Sequence, residues 1–481
     1  MKTTRFLTIA AVSCLTAAAC SEKQSPDLPQ EDVRLRPATF TFIQTRAALD
    51  GKTIQWQPKD FLGVYSFAEG ETAAKTGLAF ANTATTASSS ALFEGSIVEG
   101  AVKAYAIHPM YHAAGAASKD LETAHQFDPE KVAFTTVLPS AQQLTEGTFA
   151  PNANVAVCEA VIGEDGNLSG EMQNACAYLK FTLAHSADRP VRQVMVTAVN
   201  EKRLSGPATV TFDKNGAPVI TGRDAHYVCG YNVDQDTAIA DGTYYLCVFP
   251  ADLTTAGQEG LQVRLSGLDG TCYEFTTPGF KMVRNQVYNL GVLDEKAEEV
   301  AGKLCIFATS KGAAETATAT STERKTWTED GYTFSYVKDY VNNGSFRLQT
   351  KGFIACPAVD GKALKEVSLV ARGHNANNRA KFYVVKDSGT AAVGASANIA
   401  TGIYVADGEQ PDTYDMGRFY NACNGIAFYC HVFRLGQLTG IESARKDGYA
   451  TPAAGTGYQL YNMANTNCLG TTVEFVYENA E

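Results

Sequence analysis

Apolar residues in this chain come in many short runs, and within several runs they alternate with polar residues. Typical examples are TFTFIQ, FLGVYSF, VKAYAI, VRQVMVTAV, TYYLCVFP, LKEVSLVA and TTVEFVYE. A period of two places alternate side chains on opposite faces of a strand, whereas helical periodicity is almost missing here. The pattern predicts an all-β protein.

Turn signals separate these runs. The segments GEDGN, DKNGAP and LDGT combine glycine with asparagine or aspartate, as tight hairpin turns do. Many short strands at this spacing favour β-sandwiches. Two stretches of small residues, AEGETAAKTGLAFANTATTASSS and ATSKGAAETATATSTERK, are predicted to be loops rather than strands.

The length of 481 residues predicts two or three domains. The segment EDGNLSGEMQ separates two strand-rich halves, and the acidic segment DEKAEEVAG is typical of a linker. We therefore predict β-sandwiches over residues 36–168 and 169–294. A third unit, a β-sandwich or jelly roll, is predicted over residues 303–481.

The first residues have the pattern of an export signal. Lys2 and Arg5 precede an apolar run that is shorter than the roughly 20 residues of a membrane-spanning helix. The run ends in Ala17-Ala18-Ala19-Cys20, which resembles the lipobox of bacterial lipoproteins. This resemblance implies a signal peptide over residues 1–19, cleavage between Ala19 and Cys20, and lipidation of Cys20. Residues 20–35 are then a polar tether. The alternative is an ordinary signal peptide with a chance cysteine.

The charge of the chain argues against nucleic-acid binding. The net charge is −11, and removal of Lys2 and Arg5 with the signal peptide takes it to −13. A nucleic-acid-binding protein presents a basic face, and this sequence has no run of lysine or arginine. We predict no nucleic-acid partner.

Twelve cysteines are spread thinly along the chain. Cys158, Cys176, Cys247 and Cys305 lie inside apolar runs, where a free thiol acts as a small hydrophobic side chain. Cys423 and Cys430 could pair, but a zinc site would require more ligands at closer spacing. The sequence favours free, buried thiols.

Motifs of catalysis are missing from the sequence. It contains no nucleotide-binding glycine loop, no HExxH and no GxSxG. The acidic segment 407–415 is either a plain turn or a source of oxygen ligands for Ca²⁺ without EF-hand spacing. We predict no catalytic residue, no cofactor and no metal, and a protein that is not an enzyme.

The segment IQWQPKDFLGVYSF is the clearest test of that view, because Trp56 and Asp60 stand directly before an apolar strand. An aspartate beside an aromatic ring could serve catalysis. No partner for such a role is evident nearby in the sequence. We instead predict that Trp56 anchors the core of the first sandwich. Asp60 is predicted to bend the chain into the strand through a side-chain-to-backbone hydrogen bond.

Several short motifs follow one another between residues 40 and 293. They are Thr45-Arg46, Trp56 with Asp60 and Gly63-Val64-Tyr65, Leu92-Phe93-Glu94-Gly95, Ala104 to Pro109, Leu138-Pro139 with Gln142, Ala177 to Phe181, Tyr245 to Pro250, and Asn285 to Leu290. In this order and spacing they resemble the fimbrillin family, the lipoprotein pilins of Bacteroides-type bacteria. The resemblance covers about half of the chain.

The resemblance implies two transthyretin-like sandwiches and assembly by strand exchange. In that family a protease cuts after an arginine, the first strand leaves, and the groove accepts a strand from another subunit. On this chain the cut would follow Arg46 and release the strand over residues 39–44. An open sheet edge has the unpaired backbone groups that such an exchange requires. The alternative is that Arg46 is an uncut surface residue.

The chain departs from a stalk pilin after residue 294, where about 180 more residues follow. By its pattern this extra unit resembles the adhesin or carbohydrate-binding modules found on such proteins, and it suits a subunit at the pilus tip. Glycan binding would require exposed aromatic rings with polar neighbours. The candidate ligand-binding residues are Trp327, Tyr332, Tyr336, Asn377 and Arg379. The alternative is that the aromatic residues are core and that the asparagines form a loop.

The prediction is thus a cell-surface lipoprotein of the outer membrane, a fimbrial subunit at the tip that mediates adhesion. Its predicted partners are other fimbrial subunits through donor-strand exchange, the membrane through its lipid, and a glycan or protein on a host or bacterial surface. The alternative function is a monomeric carbohydrate-binding surface lipoprotein of a glycan-uptake system.

Overall fold

A computed structural model gives the architecture of the chain. It describes residues 34–42, 48–49, 52–53, 55–58, 60–73, 75–110, 126–150, 153–222, 225–232, 234, 236–310, 312–313, 324–337, 340–342, 345–348, 352–373, 382–387, 429–434, 454–462 and 468–480. Residues 35–481 form one compact unit by their contacts.

Strands account for nearly all regular structure in the described residues. The first group of strands is β1 Leu35–Phe42, β2 Ala48–Leu49, β3 Lys52–Thr53, β4 Phe61–Ala68, β5 Lys75–Thr76, β6 Leu78–Asn82, β7 Ala91–Val98, β8 Ala101–His108, β9 Gln126–Asp128, β10 Ala133–Leu138, β11 Ala141–Gln143, β12 Ala156–Ile162, β13 Leu168–Gly170 and β14 Gln173–Asn174.

The middle of the chain continues the pattern and adds one short helix. Its elements are β15 Ala177–Leu183, β16 Val191–Ala198, β17 Gly206–Phe212, β18 Pro218–Gly222, β19 Tyr227–Tyr231, β20 Gly242–Val248, β21 Leu261–Gly267, β22 Thr271–Thr276, β23 Val287–Val292 and α1 Leu293–Lys296.

The last group belongs to the C-terminal region. It comprises β24 Glu298–Thr309, β25 Lys325–Glu329, β26 Tyr332–Val337, β27 Tyr340–Asn342, β28 Ser345–Leu348, β29 Phe353–Ala355, β30 Lys362–Gly373, β31 Phe382–Lys386, β32 Tyr429–Arg434, β33 Tyr458–Asn462 and β34 Cys468–Asn479. The apolar runs of the sequence therefore become strands, and the all-β prediction is confirmed.

The first sheet contains eight strands in the order β13-β1-β7-β6-β4-β8-β12-β14. Strand β12 also pairs with β13, so the sheet closes on itself around a hydrophobic core. We call this the first core; it includes Phe40, Trp56, Phe80 and Phe93. Strand β4 is buried on both faces, because Leu62 and Val64 face the first core while Tyr65 and Phe67 pack into a second cluster.

Trp56 and Asp60 have the architectural roles predicted from the sequence. Trp56 is fully buried and meets the rings of Phe93 and His108 edge-on, each at a centroid distance of 5.0 Å. The Asp60 carboxylate accepts a hydrogen bond of 2.7 Å from the backbone N–H of Gln57. Strand β4 begins one residue later, so the aspartate shapes the turn into the strand.

The middle sheets continue across the predicted boundary at residue 168. A five-stranded sheet, β18-β17-β10-β9-β5, takes strands from both sides of that boundary, and a three-stranded sheet, β20-β15-β23, lies wholly beyond it. The three predicted turns connect antiparallel neighbours, namely β12 with β13, β17 with β18, and β21 with β22. The domain limits themselves remain predictions.

The C-terminal region joins the middle one through an eleven-stranded sheet. Its main path is β11-β19-β16-β21-β22-β24-β34-β28-β27, with β30 beside β34 and β32 beside β30. A separate five-stranded sheet, β25-β26-β29-β33-β31, packs on it around a large core. We call this core, which includes Trp327, Phe334, Val473 and Phe475, the C-terminal core.

Two predictions of irregular structure are wrong. The small-residue stretch around residue 80 contains β6, which pairs with β4 and β7 because Phe80 fills the first core. The predicted linker over residues 294–302 contains most of α1 and the start of β24. There the Asp294 carboxylate is buried and accepts hydrogen bonds from the N–H groups of Ala184 and His185. No helix in the described part of the chain is long and apolar enough to cross a membrane.

Candidate functional site

The first strand, β1, lies between β7 and β13. It pairs with β7 in an antiparallel ladder of eight residue pairs, from Leu35 opposite Val98 to Phe42 opposite Ala91. It pairs with β13 in parallel over only three residues, Phe40 to Phe42. A long ladder therefore holds one edge of β1 and a short one holds the other.

Side chains of β1 alternate between the first core and the solvent. Ala38 and Phe40 are buried, and Phe40 is fully enclosed, whereas Leu35, Pro37 and Thr41 are exposed. Full burial of a phenylalanine stabilises by roughly 1.5–3 kcal/mol. Together with the backbone ladder, Phe40 is the main anchor of the strand.

The turn between β12 and β13 also contacts β1. The backbone N–H of Thr39 donates to the Asn167 side-chain oxygen at 3.0 Å. Gly166 has a φ of +80°, and a Cβ added there would lie 2.0 Å from Nη1 of Arg36. Glycine is favoured at this turn by its backbone conformation, whereas the flexible end of the Arg36 side chain could move to accommodate a Cβ.

Loss of β1 would open a groove in the first sheet. The edges of β7 and β13 would face each other without a strand between them, and the space filled by Phe40 would open to solvent. We call this space the first-strand groove, bounded by β7, β13 and the first core. It has the features that β-augmentation requires: unpaired backbone groups and a pocket for alternate side chains.

The last strand, β34, is held very differently. It pairs along its length with β30, over residues 472–477 with β24, and near its start with β28. Val473, Phe475 and Tyr477 are buried in the C-terminal core. Glu474, on the opposite face, is fully buried as well. Both faces and both edges of β34 are therefore covered.

Glu474 lies at the centre of a buried polar cluster between the middle and C-terminal strands. Its carboxylate accepts hydrogen bonds from Arg264 at 2.9 Å, Ser266 at 2.5 Å, Gln193 at 2.9 Å and Ser368 at 3.0 Å. We call these residues, together with Glu366, the polar joint. Charge-assisted hydrogen bonds of this kind are shorter and stronger than neutral ones.

Arg264 is the positive member of the polar joint. Its Nη2 is 2.7 Å from Oε1 of Glu366 and 2.9 Å from Oε2 of Glu474. Burial by itself lowers the pKa of Arg264, but the two carboxylates more than offset this and hold the pKa well above its ordinary value. The guanidinium therefore stays charged.

A second arginine crosses the same interface. Arg192 of β16 lies 3.2 Å from Asp330 and 3.9 Å from Glu329, both at the turn between β25 and β26. Its guanidinium also lies over the ring of Phe307 at 4.8 Å. Sequence reasoning missed both arginines, because a single arginine in a strand is usually a solvent-facing residue.

The predicted processing and lipidation residues lie outside the described residues. These are Ala19, Cys20 and Arg46, and the same holds for the predicted ligand-binding residues Asn377 and Arg379. Arg46 follows the end of β1 by four residues in the sequence. Segment 407–415 and Cys423 also lie outside the described part of the chain.

The aromatic residues proposed for glycan stacking belong to the C-terminal core instead. Trp327 and Tyr336 are each only 4% exposed, and Tyr332 is partly buried against the same cluster. Trp327 stacks on Phe334 at 5.2 Å and contacts Tyr336 at 5.6 Å. Their faces are occupied by neighbouring side chains, so the alternative of core packing agrees with the structure.

The cysteines that the sequence placed in strands are free and buried. Cys158, Cys176, Cys247 and Cys305 have no disulfide partner, as predicted. Burial raises the pKa of the Cys158 and Cys176 thiols to about 12. Such thiols are protonated at neutral pH and are poor nucleophiles. In the described part of the chain, no group of three histidine, cysteine or acidic residues could hold a metal ion.

Comparison with known proteins finds similarity only at the level of solved structures. No family model matches the chain, and no curated protein matches it. A candidate cell adhesion protein from Bacteroides uniformis is similar at 11% identity, over 55% of this chain and 95% of that one, with a TM-score of 0.33. One from Bacteroides ovatus is similar at 14% identity, over 56% and 96%, with a TM-score of 0.34.

A tip fimbrial protein is also among the similar structures. Mfa3 from Porphyromonas gingivalis, with a C-terminal truncation, matches at 11% identity over 55% of this chain and 98% of that one, with a TM-score of 0.26. These similarities are distant and concern the β-rich fold alone.

Proposed function

We propose that this protein is a cell-surface fimbrial subunit that exchanges β1 for a strand of another subunit and mediates adhesion. The observation that carries the proposal is the position of β1, which completes the first sheet and inserts Phe40 into the first core. The fimbrillin-like motifs of the sequence support the same function. Cleavage after Arg46 would leave β1 attached by noncovalent contacts only.

We further propose that the subunit sits at the tip of the fibre. Strand β34 is covered on both faces and both edges, so it cannot act as a donor unless the C-terminal region unfolds. The groove can accept a strand, whereas β34 is not free to be given to a neighbour. Export as a lipoprotein through Cys20 and attachment to the outer membrane belong to the same proposal.

A peptide-rebinding experiment tests the exchange of β1. The chain is cut after Arg46, β1 is stripped in denaturant, and the refolded body is mixed with a synthetic peptide of residues 35–46. We expect the peptide to bind. Phe40→Asp in the peptide should weaken binding more than tenfold, because an unpaired carboxylate would enter the first core. Thr41→Asp is the matched control and should stay within about threefold, because Thr41 faces solvent.

Three outcomes would contradict parts of the proposal. Equal binding of both variant peptides would mean that the groove does not distinguish the inward-facing position 40 from the outward-facing position 41. A chain that resists cleavage after Arg46 and stays monomeric would favour the alternative function, a monomeric carbohydrate-binding lipoprotein. SDS-resistant ladders formed by the cut protein alone would contradict the tip position, because the chain would then supply its own donor.

A further inference from the structure

A cleft in the C-terminal region is lined by residues of β25 and β26 and by residues that adjoin the ends of β25, β29, β31 and β33. Its volume is about 450 Å³, within the range of small-molecule sites. Its polar lining consists of Arg324, Asp387 and the hydroxyl residues Thr326, Thr333 and Ser335. Its remaining walls are Phe334, Cys356, Pro357, Ala358 and Gly457.

The charged pair in the cleft is held in place. Nη1 of Arg324 donates to Oδ1 of Asp387 at 2.8 Å, and Nη2 donates to the other carboxylate oxygen. Gln459, which is fully buried, donates to the same Oδ1 at 2.7 Å. The Arg324 guanidinium also lies over the ring of Phe353 at 5.6 Å. The pair is therefore positioned before any ligand arrives.

The pair of Arg324 and Asp387 has N–H groups that a ligand could use, but the pair as a whole carries little net charge. A guanidinium has five N–H groups, of which the two bonds to Asp387 use two. The positive charge is balanced by the carboxylate, so an anionic ligand would gain little at this position. The remaining N–H groups suit neutral oxygen acceptors such as hydroxyl and ether oxygens.

The hydroxyl groups of the cleft come from the face of β25 and β26 that looks away from the core. Thr326 lies directly opposite Ser335 across the two strands, and Thr333 lies opposite Thr328. The intervening residues Trp327 and Phe334 point to the C-terminal core. One pair of strands thus supplies core aromatics on one face and hydroxyl groups on the other.

We infer that this cleft binds a sugar unit of a neutral glycan. A sugar ring presents hydroxyls that both donate and accept, and apolar C–H groups that suit walls such as Pro357 and Ala358. The cleft offers donors at Arg324, hydroxyls of either role, and no net charge. The inference rests on the proposed adhesive role for its biological meaning, but the binding itself requires neither cleavage nor strand exchange.

Glycan binding by the uncut, full-length protein tests the inference. The probe is an array of neutral and sialylated oligosaccharides, followed by calorimetry with the strongest neutral ligand. Thr326→Val should weaken that binding by about fivefold, the effect of one neutral hydrogen bond. Thr276→Val is the matched control, an exposed strand threonine on β22 outside the cleft lining, and it should stay within twofold.

A second variant removes the positive member of the charged pair. Arg324→Ala should reduce binding by more than tenfold, and circular dichroism checks that the variant is folded. An array without signal from neutral glycans, a preference for sialylated ones, or equal affinity of the two threonine variants would each overturn the inference. Because the uncut protein is used, these failures are separate from a failure of strand exchange, which the peptide experiment measures.

Discussion

The first and last strands of the described chain are secured by different physical means. Strand β1 depends on a backbone ladder with β7 and on the burial of Ala38 and Phe40. Strand β34 has paired neighbours on both edges, β30 along its full length and β28 and β24 in succession, and its two faces lie in the C-terminal core and in the polar joint. The first arrangement rests on backbone pairing and two apolar side chains, whereas the second also depends on specific buried polar side chains such as Arg264 and Glu474.

The two regions also differ in their buried charged residues. In the described part of the chain the buried charged residues are Arg192, Arg264, Asp294, Glu366 and Glu474, all of which lie beyond the first sheet. The first core has only apolar partners for an incoming strand. If β1 is exchanged, no buried charged residue among the described residues of the first sheet has to lose its partner.

The two tryptophans make the comparison measurable. Trp56 is buried in the first core and Trp327 in the C-terminal core, and the chain has only these two. Fluorescence of a Trp327→Phe background reports on the first sheet. Fluorescence of a Trp56→Phe background reports on the C-terminal region. Each prediction below can be assigned to one region in this way.

The largest expected effect is that of Glu474→Ala. Removal of the carboxylate takes away one of the two buried partners of Arg264, while Glu366 still balances the guanidinium charge. Ser266, Gln193 and Ser368 would also lose their acceptor, at about 1–3 kcal/mol for each donor left unsatisfied. Urea unfolding monitored at Trp327 should show this loss. Glu298→Ala, at an exposed position of β24, is the control. A loss below about 1 kcal/mol would refute the role given to the polar joint.

Phe40→Ala should have the next largest effect. Truncation of a buried phenylalanine costs about 3–5 kcal/mol through lost burial and the cavity left behind. The loss should appear in unfolding followed at Trp56 and leave the transition followed at Trp327 unchanged. Thr41→Ala, exposed on the same strand, should change stability by less than about 0.5 kcal/mol. Equal shifts at both tryptophans would mean that the two regions unfold together.

The stability of the C-terminal region is expected to depend on pH through Glu329, whereas that of the first sheet is not. Burial raises the pKa of this carboxyl group, against the lowering effect of its bonds from the Thr309 hydroxyl and N–H. The folded state then binds more protons than the unfolded state between the two pKa values, so stability falls as pH rises from about 4 through the folded pKa. Glu329→Gln should flatten this part of the profile at Trp327 and leave the profile at Trp56 unchanged. Equal profiles of wild type and variant would contradict it.

The smallest effect is expected for Glu478→Gln, four residues after Glu474 on β34. The Glu478 side chain is 43% exposed, and its carboxylate lies 3.2 Å from Nζ of Lys303, which also pairs with Glu274 at 2.7 Å. Exposed ion pairs contribute about 0–1 kcal/mol, and salt screens them. Unfolding at low and high salt should show a loss in that range that disappears at high salt. A loss as large as that of Glu474→Ala would show that burial is not what separates the two glutamates.

Much of the fold could be predicted from local pattern. Alternating runs became strands, the Gly-Asn and Gly-Asp segments became hairpin turns, and Trp56 and Asp60 took their predicted positions. These features depend on neighbours within a few residues. Strand β6 was missed because its small residues resemble a loop until Phe80 is placed against the first core.

The candidate sites were harder to predict. Alternation in TTVEFVYE predicts that Glu474 faces solvent, and alternation in LQVRLSGL predicts the same for Arg264. Both do point away from their own cores, but their side chains meet within the eleven-stranded sheet and are buried there. In the same way, the sequence predicted Trp327 and Tyr336 as ligand-binding residues. The cleft is lined instead by Thr326 and Ser335, the neighbouring residues on the same two strands.

The sequence by itself determined the secondary structure, the turns and the inward face of most strands, because these follow from a period of two and from local backbone chemistry. Only the tertiary structure decided which strands are neighbours, as in the pairing of β1 with β13 from 128 residues away. It also decided which strand faces are buried although they point away from their own hydrophobic core. Such pairings depend on contacts distant in sequence, so the lightly held β1 and the enclosed β34 look alike until the chain is folded.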